Sequence, residues 1–258
     1  MSRRLGTWWV ALAVCGVFLY TPIMLVMGMS FNASRSPFNW TGFTFGWYGQ
    51  LLNDAQLMEA LRTSLIIAFV TMVLSTLLGT MLAVGITRYS TSRTLEVAVL
   101  TPAILPDLVL AIGLMALFFT LGLPSGMHTI ILAHTAFCTA FVVAVVRARL
   151  GGTDQALEEA SRDLGAGAVT TFVRVTLPSI APAVIAAAVL SFTLSLDEFV
   201  VAFFAAGPST LTLPIAVYSR VKTGITPEIN ALATVLIIVT LVAVAAAART
   251  MRSTEEDA

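Results

Sequence analysis

The sequence predicts an all-α integral membrane protein with six transmembrane helices in a single domain, residues 1–258. Three observations carry that prediction. Hydrophobic residues make up 58% of the chain and charged residues 11%, whereas a soluble domain carries about 25% charged residues. Mean hydropathy is +0.93. The apolar residues fall into six runs, at about 8–30, 62–87, 96–120, 128–146, 180–206 and 230–248, each near the ~20 residues a helix needs to cross the hydrocarbon layer.

The first span follows Arg3-Arg4 and is longer than the ~7–15 apolar residues of a signal peptide, so it reads as permanent. Pro22 is a candidate kink, and Trp8 and Trp9 suit the membrane interface. Residues 31–61 hold Phe31, Phe38, Trp40, Phe43, Phe45, Trp47 and Tyr48. Such a strap can lie at headgroup level, and it can also receive an external partner. After the second span, 88–95 is a short polar turn. The third span contains Pro102, Pro106 and Asp107; its prolines free backbone carbonyls, which fits either a static kink or a moving gate. A Gly/Pro turn at 121–127 leads to the fourth span, which ends at Arg147 and Arg149. The fifth span carries Asp197 and Glu198. Segment 207–229, with Pro208 and Pro214, is half apolar and can re-enter the bilayer edge. The tail 249–258 is polar and expected to fray. No internal repeat is evident.

Six spans put both termini on one side. Arg3, Arg4, Arg88, Arg93, Arg147, Arg149, Arg162, Arg174, Arg249 and Arg252 make ten basic residues there. Arg35, Arg62, Arg220 and Lys222 make four on the other side. The positive-inside rule then places the termini and the loop 147–179 in the cytoplasm.

Few residues can carry chemistry. The sequence has no G-x-x-x-x-G-K-[ST], and its single lysine is Lys222, so any ATP that drives this chain is hydrolysed elsewhere. Three carboxylates lie within spans: Asp107, Asp197 and Glu198. Ionisable groups at that depth cost about 2.5–3.5 kcal/mol on insertion scales and tend to face a cavity or a partner. They can line a solute path, or bond to hydroxyls such as those of Ser191, Thr193 and Ser195. On a continuous helix Asp197 and Glu198 would point about 100° apart, so both could not face one narrow path. His128 and His134 read as interfacial and packing residues, and Cys15 and Cys138 as small buried hydrophobes. No catalytic set or metal-ligand spacing is present, and no enzyme activity or nucleic-acid binding is expected.

The longest polar break is 154–178, DQALEEASRDLGAGAVTTFVRVTLP. Thr153 or Asp154 can cap a helix there, with Glu158 and Glu159 in its first turns. Leu157, Ala160 and Leu164 form one apolar stripe. Gly165 and Gly167 stop the helix, and a second short piece, 168–176, runs to Leu177-Pro178.

Glu159-Ala160-Ser161, then Gly165, then Leu177-Pro178 resembles the EAA-type loop of ABC importer permeases. The third position is commonly Ala in that family and is Ser161 here, still small. SFNASRSPFNWTGFTFGWY after the first span, LSFTLSLDEFVVAFF in the fifth and TPEINALATV entering the sixth are similar to the second permease of spermidine/putrescine importers. The resemblance runs from the first span through the sixth. It implies the type I ABC importer permease fold in a bacterial inner membrane. It implies that the loop couples the chain to an ATPase dimer holding the ATP and Mg. A second, paralogous permease and an external solute-binding protein are the other implied partners. The solute implied is a small cation, foremost a polyamine; another amino-containing solute is the alternative, and a secondary transporter a more distant one.

Overall fold

A computed structural model of the chain describes residues 2–35, 39–90, 92–224 and 227–256. Phe38 of the strap and Ala258 of the tail lie outside them, as do the side chains of Arg3, Arg4, Trp8, Arg249 and Arg252. The described residues are helical throughout apart from connections and one isolated antiparallel bridge, Asn32 to Phe43. They form two compact units: Met1–Met58 with Ala216–Ala258, and Glu59–Ile215.

In the first unit, α1 (Ser2–Met29) and α2 (Gly46–Asn53) both pack against α12 (Pro227–Glu256). Most of α11 (Leu213–Thr223) also belongs here. α1 presents Phe18, Leu19 and Tyr20 outward, as a lipid-facing helix does, and Cys15 is exposed rather than buried as the sequence suggested. The strap is a built loop. Buried Asn32 donates from Nδ2 to the Asn39 carbonyl (2.8 Å) and accepts at Oδ1 from the Ser34 and Thr41 N–H groups. Its own carbonyl accepts from Trp47 Nε1 at 2.7 Å. Phe31 stacks on Phe43 (5.2 Å between centroids) and meets Phe45 edge-on. Beyond it, Asp54 pairs with Arg220 at 2.7 Å, and this guanidinium holds the Asp54 carboxyl below its ordinary range. The backbone of α12 is helical to Glu256, past the start of the polar tail at 249.

The second unit contains most of α3 (Ala55–Val84), which ends in a π-helical turn, Gly85–Tyr89. α3 starts earlier than the sequence suggested because Asp54 Oδ1 accepts the Leu57 N–H and caps it. Then come α4 (Arg93–Ile104), α5 (Asp107–Thr120), α6 (Met127–Leu150), α7 (Gln155–Asp163), α8 (Ala168–Thr171), a second π turn (Phe172–Thr176), α9 (Leu177–Asp197) and α10 (Val200–Ala205). The central helix is α6, packed against α4, α5, α9 and α10. At one end Ile130 and Ala133 join Ala111, Phe118, Val201 and Ala202. At the other, Val142, Val143 and Val146 join Ala83, Ile180 and Ala187. Close approach requires glycine in two places. A Cβ on Gly79 would lie 2.6 Å from the Val142 side chain, and one on Gly207 would overlap the Ser125 carbonyl.

Four helical segments are long and apolar enough to cross a membrane alone: Leu12–Met29, Ala55–Tyr89, Met127–Leu150 and Ala168–Asp197. The expected third span is two helices, α4 and α5, bent by 111° at Leu105-Pro106, so together they can make a fifth. The described apolar part of α12, Pro227–Leu241, is shorter. The described residues thus account for four or five of the six expected spans. Leu177-Pro178 does not close the polar loop as expected. Pro178 lies just after the π-helical turn Phe172–Thr176, inside a helical run that begins at Ala168.

The Gly207 contact gives a stability test. Gly207→Ala should lower the thermal midpoint of the detergent-solubilised protein by an amount equivalent to about 1–3 kcal/mol, the usual cost of overpacking. Gly113→Ala, with nothing within 4 Å of the added methyl, should leave the midpoint unchanged or raise it. Equal midpoints in the two variants would show that the backbones at Gly207 and Ser125 are not in contact.

Candidate functional site

Two groups of residues stand out in the second unit. The first is the loop helix α7. Its N-cap is Asp154, whose Oδ1 accepts the Ala156 N–H at 2.9 Å. Its end is a two-bond cap: Gly165 N–H donates to the Arg162 carbonyl (2.9 Å) and Ala166 N–H to the Ser161 carbonyl (3.1 Å). Gly165 takes φ +86°, a conformation that costs a side-chain-bearing residue about 1–2 kcal/mol. It is the one stop of the helix; Gly167 instead opens α8 as its N-cap. Ser161 Oγ lies 3.2 Å from Thr171 Oγ1 and ties α7 to α8.

The faces of α7 are the reverse of what its apolar stripe suggested. Leu157 is 58% exposed and Leu164 90% exposed, and Ala160 is exposed too. Glu158 is buried. Its Oε1 accepts from Arg88 Nη2 at 3.1 Å and from Arg88 Nε at 3.2 Å. Arg88 Nη2 also donates to Thr153 Oγ1 at 3.0 Å. Removing one partner from a buried pair of this kind typically costs about 3–5 kcal/mol. The neighbouring Tyr89 hydroxyl accepts from Arg162 Nη2 at 3.2 Å, with the guanidinium carbon 6.0 Å from the ring centroid. Glu159 is exposed, with no ion pair among the described residues.

Sequence reasoning missed Arg88, Tyr89 and Glu158 as a set. Arg88 entered only as one of the basic residues that set orientation, and the apolar stripe put Leu157 inward. The available signal was that Arg88, which closes an apolar run, is opposite in charge to Glu158 and Glu159 of the loop helix.

The second group is the three carboxylates, which lie at helix breaks rather than inside helices. Asp107 is the first residue of α5, directly after the bend. Asp197 is the last residue of α9, and Glu198 is its C-cap. Glu198 Oε1 accepts the Val201 N–H at 2.8 Å and so caps α10. The chain turns here, and the premise of adjacent positions on one continuous helix fails. α5, which Asp107 opens, packs against α10, which Glu198 precedes. Asp107 and Asp197 are exposed, and none of the three forms an ion pair with a described residue. The hydroxyls named as possible partners are engaged elsewhere: Ser191 with Ser75, Thr193 with the Val189 carbonyl, and Ser195 with His134 Nδ1 at 2.8 Å. His134 is buried between α6 and α9, and its Nε2 has no described partner. His128 is exposed. Among the described residues no group of His, Cys, Asp and Glu could hold a metal ion.

Residues 75–252 match the family described as "Binding-protein-dependent transport system inner membrane component". This chain belongs to that family. Its members are multi-pass inner-membrane permeases of ABC importers, so the chain is a transport subunit and not an enzyme. The permease is 43% identical over 235 residues to the "Spermidine/putrescine transport system permease protein PotC" of Escherichia coli (strain K12), covering 89% of this chain and 88% of the relative. It is 41% identical over 240 residues to the "Putrescine transport system permease protein PotI" of the same strain, covering 89% and 85%. A crystal structure of a bacterial ABC transporter involved in the import of the acidic polysaccharide alginate contains a similar chain. There the TM-score is 0.76 at 19% identity, over 96% of this chain and 95% of that one. A chain of the MetNI methionine ABC transporter, in inward-facing conformations, gives 0.62 at 20% identity, over 82% and 99%. The permease therefore has the type I ABC importer fold.

Proposed function

We propose that this permease is one transmembrane domain of an ATP-driven importer whose solute is a polyamine, putrescine or spermidine. The observation that carries the solute assignment is the group Asp107, Asp197 and Glu198. Three carboxylates stand at breaks in two apolar segments, and among the described residues no cationic side chain pairs with them. A desolvated ammonium needs a counter-charge, and a di- or tricationic solute brings its own complement to such a group. The names of the similar permeases, PotC and PotI systems for spermidine and putrescine, support the same class.

The working importer on this reading has four kinds of part. An external solute-binding protein delivers the polyamine. This permease and a paralogous second one form the path. Two ATPase subunits hold the ATP and Mg, and closure of their dimer drives the permeases between inward- and outward-facing states. The loop helix α7 seats in the ATPase. Leu157, Leu164 and Val169 supply an exposed apolar patch for that contact, and Glu159 beside them faces a basic residue. Ala160 and Ser161 keep the helix thin, Gly165 sets its end, and Leu177-Pro178 leads into the next span. Glu159→Lys should cut co-purification of the ATPase at least tenfold while the permease still inserts; an unchanged yield of complex would remove α7 from the interface.

Orientation follows the basic residues, ten on the side of the termini and four on the other. A reporter that works only in the cytoplasm should be active after Ala258 and silent when inserted at Ser209. The reverse pattern would put α7 on the wrong side for an ATPase.

The path is tested by uptake of labelled putrescine and spermidine into vesicles with quantified complex. Asp197→Asn or Glu198→Gln should lower uptake several-fold, and Asp107→Asn less, with basal ATP hydrolysis near normal. Normal uptake in all three variants would make the carboxylates structural. Transport of another amino-containing solute in place of polyamines would keep the importer and replace the solute.

A further inference from the structure

The connections of α7 to the rest of its unit are unequal. Its covalent links run through glycine on both sides: Gly151-Gly152 join it to α6, and Gly165 and Gly167 flank the turn to α8. Glycine is the residue least able to transmit a bending force along the backbone. Outside the backbone α7 packs against α8 and the π turn that follows it, and the side-chain hydrogen bond it makes there among the described residues is one neutral hydroxyl contact of 3.2 Å. The links to the end of α3 are charged and come in two places. Arg88 holds the beginning of α7 through Glu158, and the residue before its cap through Thr153. Tyr89 holds the far end through Arg162, by a hydrogen bond and by its ring face. Both residues lie in the π-helical turn that closes α3, and single π turns inside helices recur at functional positions. α3 itself is 30 residues of unbroken helix, about 45 Å at 1.5 Å per residue.

We propose that Arg88 and Tyr89 clamp α7 to α3, so that displacement of α7 is passed first to α3 and only secondarily to α6 and α9. This rests on the reading that α7 docks on the ATPase. Arg88, Glu158, Tyr89 and Arg162 are positioning residues: they touch no solute and no nucleotide. A buried pair of opposite charges suits the task, because it resists separation yet fixes one geometry. Closure of the ATPase dimer moves α7, and the clamp makes α3 move with it as a rod. Loss of the clamp leaves a loop helix that still docks but swings on its glycines.

The test needs no solute. The assembled importer carries Cys15→Ser and Cys138→Ala, with Leu65→Cys labelled by a fluorophore on the exposed face of α3. ATP should change the label signal in this background. Glu158→Gln and Arg88→Met should each reduce the amplitude at least threefold, while ATPase co-purification and hydrolysis stay within twofold. Arg88→Glu with Glu158→Arg should recover at least half of what either charge reversal alone loses. Tyr89→Leu, at an exposed position, should reduce the amplitude about twofold. Full amplitude in Glu158→Gln and Tyr89→Leu overturns the clamp, as does no ATP-driven signal in the background or no recovery in the swap. If the charge variants fail to assemble, Tyr89→Leu decides alone: a twofold loss supports the clamp and an unchanged signal overturns it. Leu164→Asp separates the two readings. An ATPase that stays bound to it sinks the docking assignment, whereas lost binding there with full amplitude in Glu158→Gln sinks only the clamp.

Discussion

A broken helix inside an apolar layer must satisfy its own backbone, and the second unit is arranged around that constraint. In hydrocarbon no water is on hand to take up a freed N–H or carbonyl. Each break in this permease carries its partner with it. At Leu105-Pro106 the N–H that proline lacks needs no acceptor, Leu105 N–H returns to the Thr101 carbonyl, and the Pro106 carbonyl accepts from Val109 and Leu110. At Asp197-Glu198 the glutamate side chain accepts the Val201 N–H. At the start of α6, Thr129 Oγ1 accepts from Gly126 N–H and donates to the Ala205 carbonyl. Carboxylates and hydroxyls at these positions therefore have a structural use whether or not a solute touches them. Glu198 is committed to a backbone N–H by one oxygen, while Asp107 and Asp197 have no described hydrogen bond of their own.

The second consequence is crowding. Bent segments shorten the reach of each helix, and α6 holds the unit together by close approach rather than by large side chains. Its buried positions are mostly Ala, Val and Thr, and Gly79 and Gly207 lie where a methyl group would collide. Lipid tails are as apolar as leucine, so packing and hydrogen bonds hold the helices together here, which favours small residues at the contacts. The Ser75–Ser191 and His134–Ser195 bonds join α3 to α9 and α6 to α9 within this packing.

Much of this was legible in the sequence, and the failures have physical causes. Runs of apolar residues announced the long helices because hydrocarbon thickness sets their length. Pro102 and Pro106 announced a bend, and the bend is there; its size, 111°, depends on what α4 and α5 pack against and is not written in any local residue. Asp197 and Glu198 were singled out correctly as unusual, but a carboxylate that caps a new helix looks the same in sequence as one pointing into a cavity. The start of α3 at Ala55, ahead of the apolar run 62–87, is legible in Asp54, a good N-cap. Leu177-Pro178 looks like the end of the loop in sequence, yet the chain stays helical through it from Ala168 onward.

The loop helix is the most instructive case. An amphipathic helix is normally read by placing its leucines inward, and in α7 that puts Leu157, Leu164 and Glu158 on the wrong side. Burying Glu158 against Arg88 while Leu164 stands 90% exposed is an unfavourable arrangement for the isolated chain: it removes two charges from water and leaves an apolar side chain in it. An arrangement of that kind makes sense when the apolar side is completed by another protein. On the docking reading the leucines meet the ATPase, and a charge pair does inside the permease what a leucine contact would otherwise do. The substitution has a mechanical advantage. Apolar contacts are non-directional and allow sliding, whereas Arg88 fixes Glu158 and Thr153 at set distances and angles. A helix that must pass motion from one protein to another is better held on its inner face by directional bonds, with its greasy face turned outward.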